Sequence, residues 1–175
     1  MTNTTILGQL SALHEMMGQL LTSVPHPDAA RQFHPDLGSL TWYLGHSVYL
    51  ETYWLRQILD NDDDLTRRVE HLFNPGTLPL AEQCAALPPV DHLLNWVVEI
   101  QDERLLRLAN PGVLPEHPML EQDRLAWFLL QEQARDYERM LMVLNQRQLH
   151  KAPADYQVER PLVPDLHRAD AGEVI

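Results

Sequence analysis

Apolar residues recur at helical spacing in four long segments of this 175-residue chain, and this periodicity constrains the fold more than any other feature. The segments cover about residues 4–23, 39–59, 89–109 and 119–147. Apolar side chains that recur every three or four residues lie along one face of a helix, which must be buried against other elements. The pattern therefore predicts an all-α fold, a four-helix bundle with long loops.

Proline-rich stretches separate the predicted helices. PHPDAARQFHPDLGS follows the first helix, and the less regular stretch from Thr66 to Leu87 is expected to hold one or two short helices. After residue 148 the chain carries three prolines and little periodicity. We therefore expect a helical domain over residues 1–148 and an extended tail or linker over residues 149–175.

Charge and composition exclude several classes of partner. The net charge is −12 and the sequence pI is about 5.0, which argues against nucleic-acid and anionic membrane surfaces as partners. The single cysteine cannot form a disulfide within the chain. The N-terminal residues lack the features of a signal peptide, and no apolar run reaches the roughly 20 residues of a membrane span. We expect a soluble, cytoplasmic protein.

The second predicted helix carries a histidine within an aromatic stripe. His46 shares a face with Trp42, Tyr43 and Tyr49, because these residues lie three or four positions from it. A buried imidazole without a hydrogen-bond partner costs a few kcal/mol. His46 is therefore expected to meet polar groups of another helix.

The fourth predicted helix carries two acids on one face. Glu132 and Asp136 are four residues apart, so their carboxylates repel each other unless a cation lies close. With an imidazole, two carboxylates suit Fe(II), Mn(II), Zn(II) or a similar divalent ion. Arg135 and Arg139 could instead supply the positive charge, which would make these residues a surface ladder of salt bridges. The residues by themselves leave both interpretations open.

The stretch LTWYLGHSVYLETYWL resembles the second-helix motif of DinB-like bundles. It is most similar to the N-terminal bundle of ergothioneine-type sulfoxide synthases, whose motif is close to W-H-L-G-H-T-x-W-F-x-E. HLFNP, VVEIQDERLL and the fourth predicted helix resemble later segments of that family in the same order. The resemblance covers about residues 4–148, and the matching positions are Trp42, Leu44, Gly45, His46, Glu51, Phe73, Asn74, Asp102, Gln131, Glu138 and Met140.

This resemblance implies a site for a nonheme iron ion. His46 matches one of the family's three iron ligands, while Glu132 and Asp136 replace the other two, which are histidines in the family. Both substitutes can still bind a metal, so a variant site with Fe(II) as first choice, and Mn(II), Zn(II) or Ni(II) as alternatives, is one expectation. The opposing expectation is a decayed site in which Arg135 takes the place of the ion and pairs with both acids. Candidates for the substrate pocket are Trp42, Tyr43, Tyr49 and Arg135.

The resemblance also bears on partners and activity. The family's enzymes carry a C-terminal domain of the formylglycine-generating type, and the predicted tail resembles the linker that leads into it. We therefore expect no oxidative C–S bond formation from these 175 residues alone, but iron-dependent oxidoreductase activity in a longer chain. A non-catalytic interaction or scaffold bundle with a degenerate metal site is the alternative, and a homodimer is a further expectation. A stand-alone thiol transferase is least favoured, because two carboxylates suit a thiolate-activating metal poorly.

Overall fold

The computed structural model describes residues 4–152, except for the side chains of Thr4 and Pro111, and this part of the chain is helical without any β-strand. The predicted all-α character is therefore confirmed. No helix in this part combines the length and the apolarity that crossing a membrane requires. Its seven α-helices are α1 (Thr4–Thr22), α2 (His26–Ala29), α3 (Leu40–Thr52), α4 (Asp64–Phe73), α5 (Leu80–Ala85), α6 (Val90–Ala109) and α7 (Arg124–Lys151).

Helix α3 lies at the centre of this arrangement. It contacts α1, α6 and α7, the other three long helices, and also the short helices α4 and α5. Every residue of α3 except Leu50 is buried. Its polar side chains must therefore find partners on the helices around it.

The start and the end of α3 have local causes. Ser39 precedes the helix as its N-cap residue, and its hydroxyl accepts a hydrogen bond from the Trp42 amide at 3.1 Å. At the other end the helix continues as a π-helical segment, Tyr53–Ile58. The Leu59 amide closes this segment by donating to the Trp54 carbonyl at 3.0 Å. The second predicted helix thus has the extent that its apolar spacing indicates.

Gly45 allows α4 to approach α3 closely. A Cβ atom at this position would lie 2.2 Å from Cε1 of Phe73, the last residue of α4. Phe73 is buried and stacks on Trp96 of α6, with ring centroids 5.9 Å apart. The absence of a side chain at position 45 therefore lets one aromatic ring fill the space between three helices.

The buried carboxylate of Asp28 connects α2 to the end of α7. It accepts hydrogen bonds from Lys151 and from Arg147 Nε, the latter at 2.8 Å. These hydrogen bonds, that of Lys151 first, lower the pKa of Asp28, although burial opposes the shift. The connection contributes to folding as long as Asp28 is ionised.

The fourth predicted helix begins later and ends later than its sequence indicates. Residues Pro118–Asp123 form a 3₁₀ segment, within which Gln122 and Asp123 have left-handed φ angles of 53° and 58°. Left-handed residues cannot continue a right-handed helix, so α7 starts at Arg124 and not near residue 119. Helix α7 then runs to Lys151, and residues 153–175 of the predicted tail lie outside the described residues.

We expect Gly45→Ala and Gly8→Ala to change stability in opposite directions. A Cβ atom at Gly8, in α1, would have no described atom within 4 Å, so alanine should raise the free energy of unfolding by about 0.5–1 kcal/mol through its helix propensity. At position 45 the clash with Phe73 should outweigh that gain and cost about 1–3 kcal/mol. Urea unfolding followed by circular dichroism measures both, and a stabilising Gly45→Ala would contradict the close approach.

We expect Asp28→Asn to lower the free energy of unfolding by about 1 kcal/mol at pH 7, because it removes two charge-assisted hydrogen bonds. A carboxyl group whose pKa is lower in the folded state stabilises the fold above its unfolded pKa, and this contribution is lost as the pH falls through the folded pKa. The difference from wild type should therefore shrink below about pH 4. Asp36→Asn, at an exposed carboxylate, is the matched control in urea titrations across this range.

Candidate functional site

His46 of α3 and Asp136 of α7 form a buried pair. Nδ1 of His46 lies 2.7 Å from Oδ2 of Asp136, and the two residues are only 7% and 1% exposed. The imidazole stacks on the indole of Trp42, with centroids 4.9 Å apart and planes 8° from parallel. Because Trp42 lies one helical turn before His46, α3 itself supplies the surface that holds the ring.

The pair leaves one nitrogen of His46 available. A carboxylate only accepts hydrogen bonds, so Nδ1 carries the hydrogen and donates it to Asp136. Nε2 forms no hydrogen bond with a described residue, and it keeps some access to solvent. In a neutral ring this nitrogen carries a lone pair.

Two arginines of α7 neutralise the acids of the same helix. Arg135 donates a hydrogen bond to Glu132, whose side chain is 22% exposed. Arg139 lies close to Asp136, with its Nη1 at 3.5 Å from Oδ1 of the carboxylate. The structure therefore brings His46 and Asp136 together and pairs Glu132 with an arginine. The decayed-site interpretation predicts that Arg135 contacts both acids; Arg135 contacts Glu132, whereas Asp136 contacts His46 and Arg139.

These pairings bear on whether the predicted ligands fit a metal ion. Of the three residues, His46 and Asp136 are hydrogen-bonded to each other, and Glu132 accepts a hydrogen bond from Arg135. Within residues 4–152, no group of three or more His, Cys, Asp or Glu side chains is arranged to hold a metal ion. In this arrangement the set does not fit an ion, and metal binding stays a prediction.

Two of the predicted pocket residues line a cleft. Trp42 and Tyr43 border an open cleft of about 250 Å³ together with Gln83 and Arg139. Gln83 fixes the indole, because its side-chain oxygen accepts a hydrogen bond from Trp42 Nε1 at 3.2 Å. Burial raises the pKa of Tyr43, whose hydroxyl oxygen accepts from the Gly38 amide at 3.1 Å.

The other two pocket candidates lie outside this cleft. Tyr49 is buried further along α3, where its ring is 6.3 Å from that of Tyr53, and burial raises its pKa to about 12. Arg135 is exposed beside Glu132.

A second buried pair was missed at the level of the sequence. Nε2 of His14 lies 2.6 Å from Oε1 of Glu51, and Gln133 donates a hydrogen bond to the same oxygen. All three residues are buried, and they come from α1, α3 and α7. The sequence feature that could have predicted this pair is a polar residue at an apolar position. His14 follows Leu10 by four residues and so lies on the apolar face of α1.

Helix α6 adds two buried polar residues, Gln101 and Arg104. Arg104 is fully buried, and this burial lowers its pKa. Its Nη1 donates a hydrogen bond to Glu103 at 3.0 Å. Six buried polar atoms in this region have no hydrogen-bond partner in the described part of the chain. They belong to Gln101, Arg104, His14, Glu51 and Gln133. Unpaired buried polar groups are few in native proteins, and ordered water or a ligand commonly satisfies them.

Comparisons of the chain with models of known protein families and with curated proteins found no match. The resemblance to DinB-like bundles and sulfoxide synthases therefore stays a prediction from the sequence motifs.

We expect His46→Leu to destabilise the protein by about 3–5 kcal/mol, because it leaves the buried carboxylate of Asp136 without its closest partner. The double variant His46→Leu/Asp136→Leu should lose less than the sum of the two single variants, since it leaves no uncompensated charge. Glu132→Ala, which removes the partly exposed acid of α7, is the control and should cost less than about 1 kcal/mol. Urea unfolding of the four variants beside the wild type provides the test, and additive losses would contradict the pairing.

Proposed function

We propose that this chain is a DinB-like four-helix bundle domain that serves as a non-catalytic interaction or scaffold module. In this proposal, internal ion pairs stand where related sulfoxide-synthase-type enzymes hold an iron ion. The observation that carries the proposal is the pairing of both acids of α7 with groups of the protein: Glu132 with Arg135, and Asp136 with His46.

The relationship to such bundles is supported by one contact in particular. The resemblance assigns positions 46 and 136 to two ligands of a single ion, and His46 and Asp136 are hydrogen-bonded across α3 and α7 at 2.7 Å. The mutual packing of the four long helices α1, α3, α6 and α7 is a second, less specific support.

Electrostatics favours ion pairs over a metal ion at this position. Two carboxylates one helical turn apart need positive charge nearby, and Arg135 and Arg139 each bring one within the same turns. A divalent ion bound by the two acids would have to displace Arg135 from Glu132 and to compete with the His46 hydrogen bond.

The partner that the resemblance implies is a domain of the formylglycine-generating type. In the sulfoxide synthases that domain completes the substrate pocket, which makes the helical bundle one half of a shared site. We propose the same relationship here, with the bundle contributing surface and not the metal.

Divalent metal binding is a second candidate function, and one observation favours it. Histidines that ligate metals usually donate their other ring N–H to a carboxylate, which fixes the ring and raises its basicity. His46 shows this arrangement toward Asp136 and keeps Nε2 unpaired within the described residues. In that case Asp136 would orient the ligand, and His46 would supply one coordination bond.

Metal analysis after dialysis against Fe(II) under anaerobic conditions, Mn(II) or Zn(II) separates the two functions. We expect no stoichiometric ion in the wild-type protein. Arg135→Gln should gain affinity for a divalent ion, because Glu132 loses its partner, and His46→Ala should abolish this gain. Arg124→Gln, at another exposed arginine of α7 whose nearest acid is Glu121 at 3.9 Å, is the matched control and should bind no ion.

Two outcomes would count against the proposal. A stoichiometric ion in the wild-type protein that disappears in His46→Ala would establish metal binding instead. No gain in Arg135→Gln would show that the arginine does not occupy the place of an ion.

A further inference from the structure

A separate cavity lies between α1 and α6, and it shares no lining residue with the cleft beside Trp42. Its volume is about 260 Å³. Five aliphatic side chains form its apolar walls, among them Leu44 of α3 and Val97 of α6. The polar residues that line it are Ser11, His14, Glu15, Gln101 and Asp102.

The charge at this cavity is entirely negative. Glu15 and Asp102 are exposed acids that line it from α1 and α6, and no lysine or arginine is among the lining residues. The chain as a whole carries a net charge of −12, which adds to the negative potential. A concave site with charges of one sign concentrates ligands of the opposite sign.

One polar side chain of this cavity is buried without any hydrogen-bond partner among the described residues. Gln101 is only 7% exposed and forms no hydrogen bond there. Its nitrogen Nε2 is sealed from solvent, whereas its oxygen keeps some access to it. An amide oxygen accepts hydrogen bonds, so it can accept one from a ligand in the cavity.

We propose that this cavity binds a small organic cation, a primary ammonium group on a short aliphatic chain. One ammonium N–H group would donate to the Gln101 oxygen, while Glu15 and Asp102 supply the opposite charge. The aliphatic part would lie against the apolar walls. This inference does not depend on the function proposed for the His46 site, because it uses different residues.

Butylammonium chloride titrated into the ¹⁵N-labelled full-length chain tests the proposal, with amide chemical shifts as the readout. We expect saturable shifts for residues of α1 and α6 with a dissociation constant on the order of 1 mM, which is reasonable for so small a ligand. Sodium butyrate and butanol, of the same chain length but anionic or neutral, should cause much smaller shifts at equal concentration.

Two pairs of variants assign the binding to this cavity. Gly18→Leu should abolish the shifts, because Gly18 lines the cavity and a side chain there would enter it; Gly8→Leu, on the same helix but away from the cavity, is the control. Asp102→Asn should weaken binding about threefold, whereas Glu99→Gln, at an exposed acid of α6 that does not line the cavity, should not.

Three outcomes would overturn the proposal. The first is the absence of saturable shifts with butylammonium, and the second is equal binding of butanol or butyrate. The third is a loss of binding in Gly8→Leu or Glu99→Gln as large as in the variants at the cavity.

Discussion

The burial of α3 on nearly all sides is the constraint on which the rest of the structure depends. This helix carries His46 and Glu51 into the interior, and neither can be left there without polar partners. Helix α7 supplies Asp136 to the first, and α1 supplies His14 to the second, at 2.7 Å and 2.6 Å. The positions of α1 and α7 against α3 are therefore set by two buried polar contacts as well as by apolar packing.

The contacts between α3 and α7 also define how the two helices run. His46 meets Asp136, and Glu51, further along α3, meets Gln133, which is earlier in α7. The two helices therefore run in opposite directions where they touch. Buried hydrogen bonds to a carboxylate seldom add stability over apolar packing, but separating their members leaves a buried carboxylate without a partner, which is costly. Their main effect here is to disfavour any shift of α7 along α3 that would separate both pairs at once.

The two polar regions of the molecule differ in the sign of the charge around them. Arg135 and Arg139 contact the acids Glu132 and Asp136 of α7, so positive charge there is already supplied by the protein. The cavity between α1 and α6 instead presents Glu15 and Asp102 without a cation among its lining residues. One chain thus holds a region whose charges are balanced internally and another whose negative charge favours a cationic ligand.

The sequence by itself determined the all-α fold and the four long helices, because helical periodicity is a property of neighbouring residues. It could not decide which acid meets His46. Glu132 and Asp136 are about 40° apart around α7, so both lie at the margin of its apolar stripe. Only the packing of α7 on α3 buried Asp136 and left Glu132 to Arg135, since contacts between residues 90 positions apart depend on how whole helices fit together.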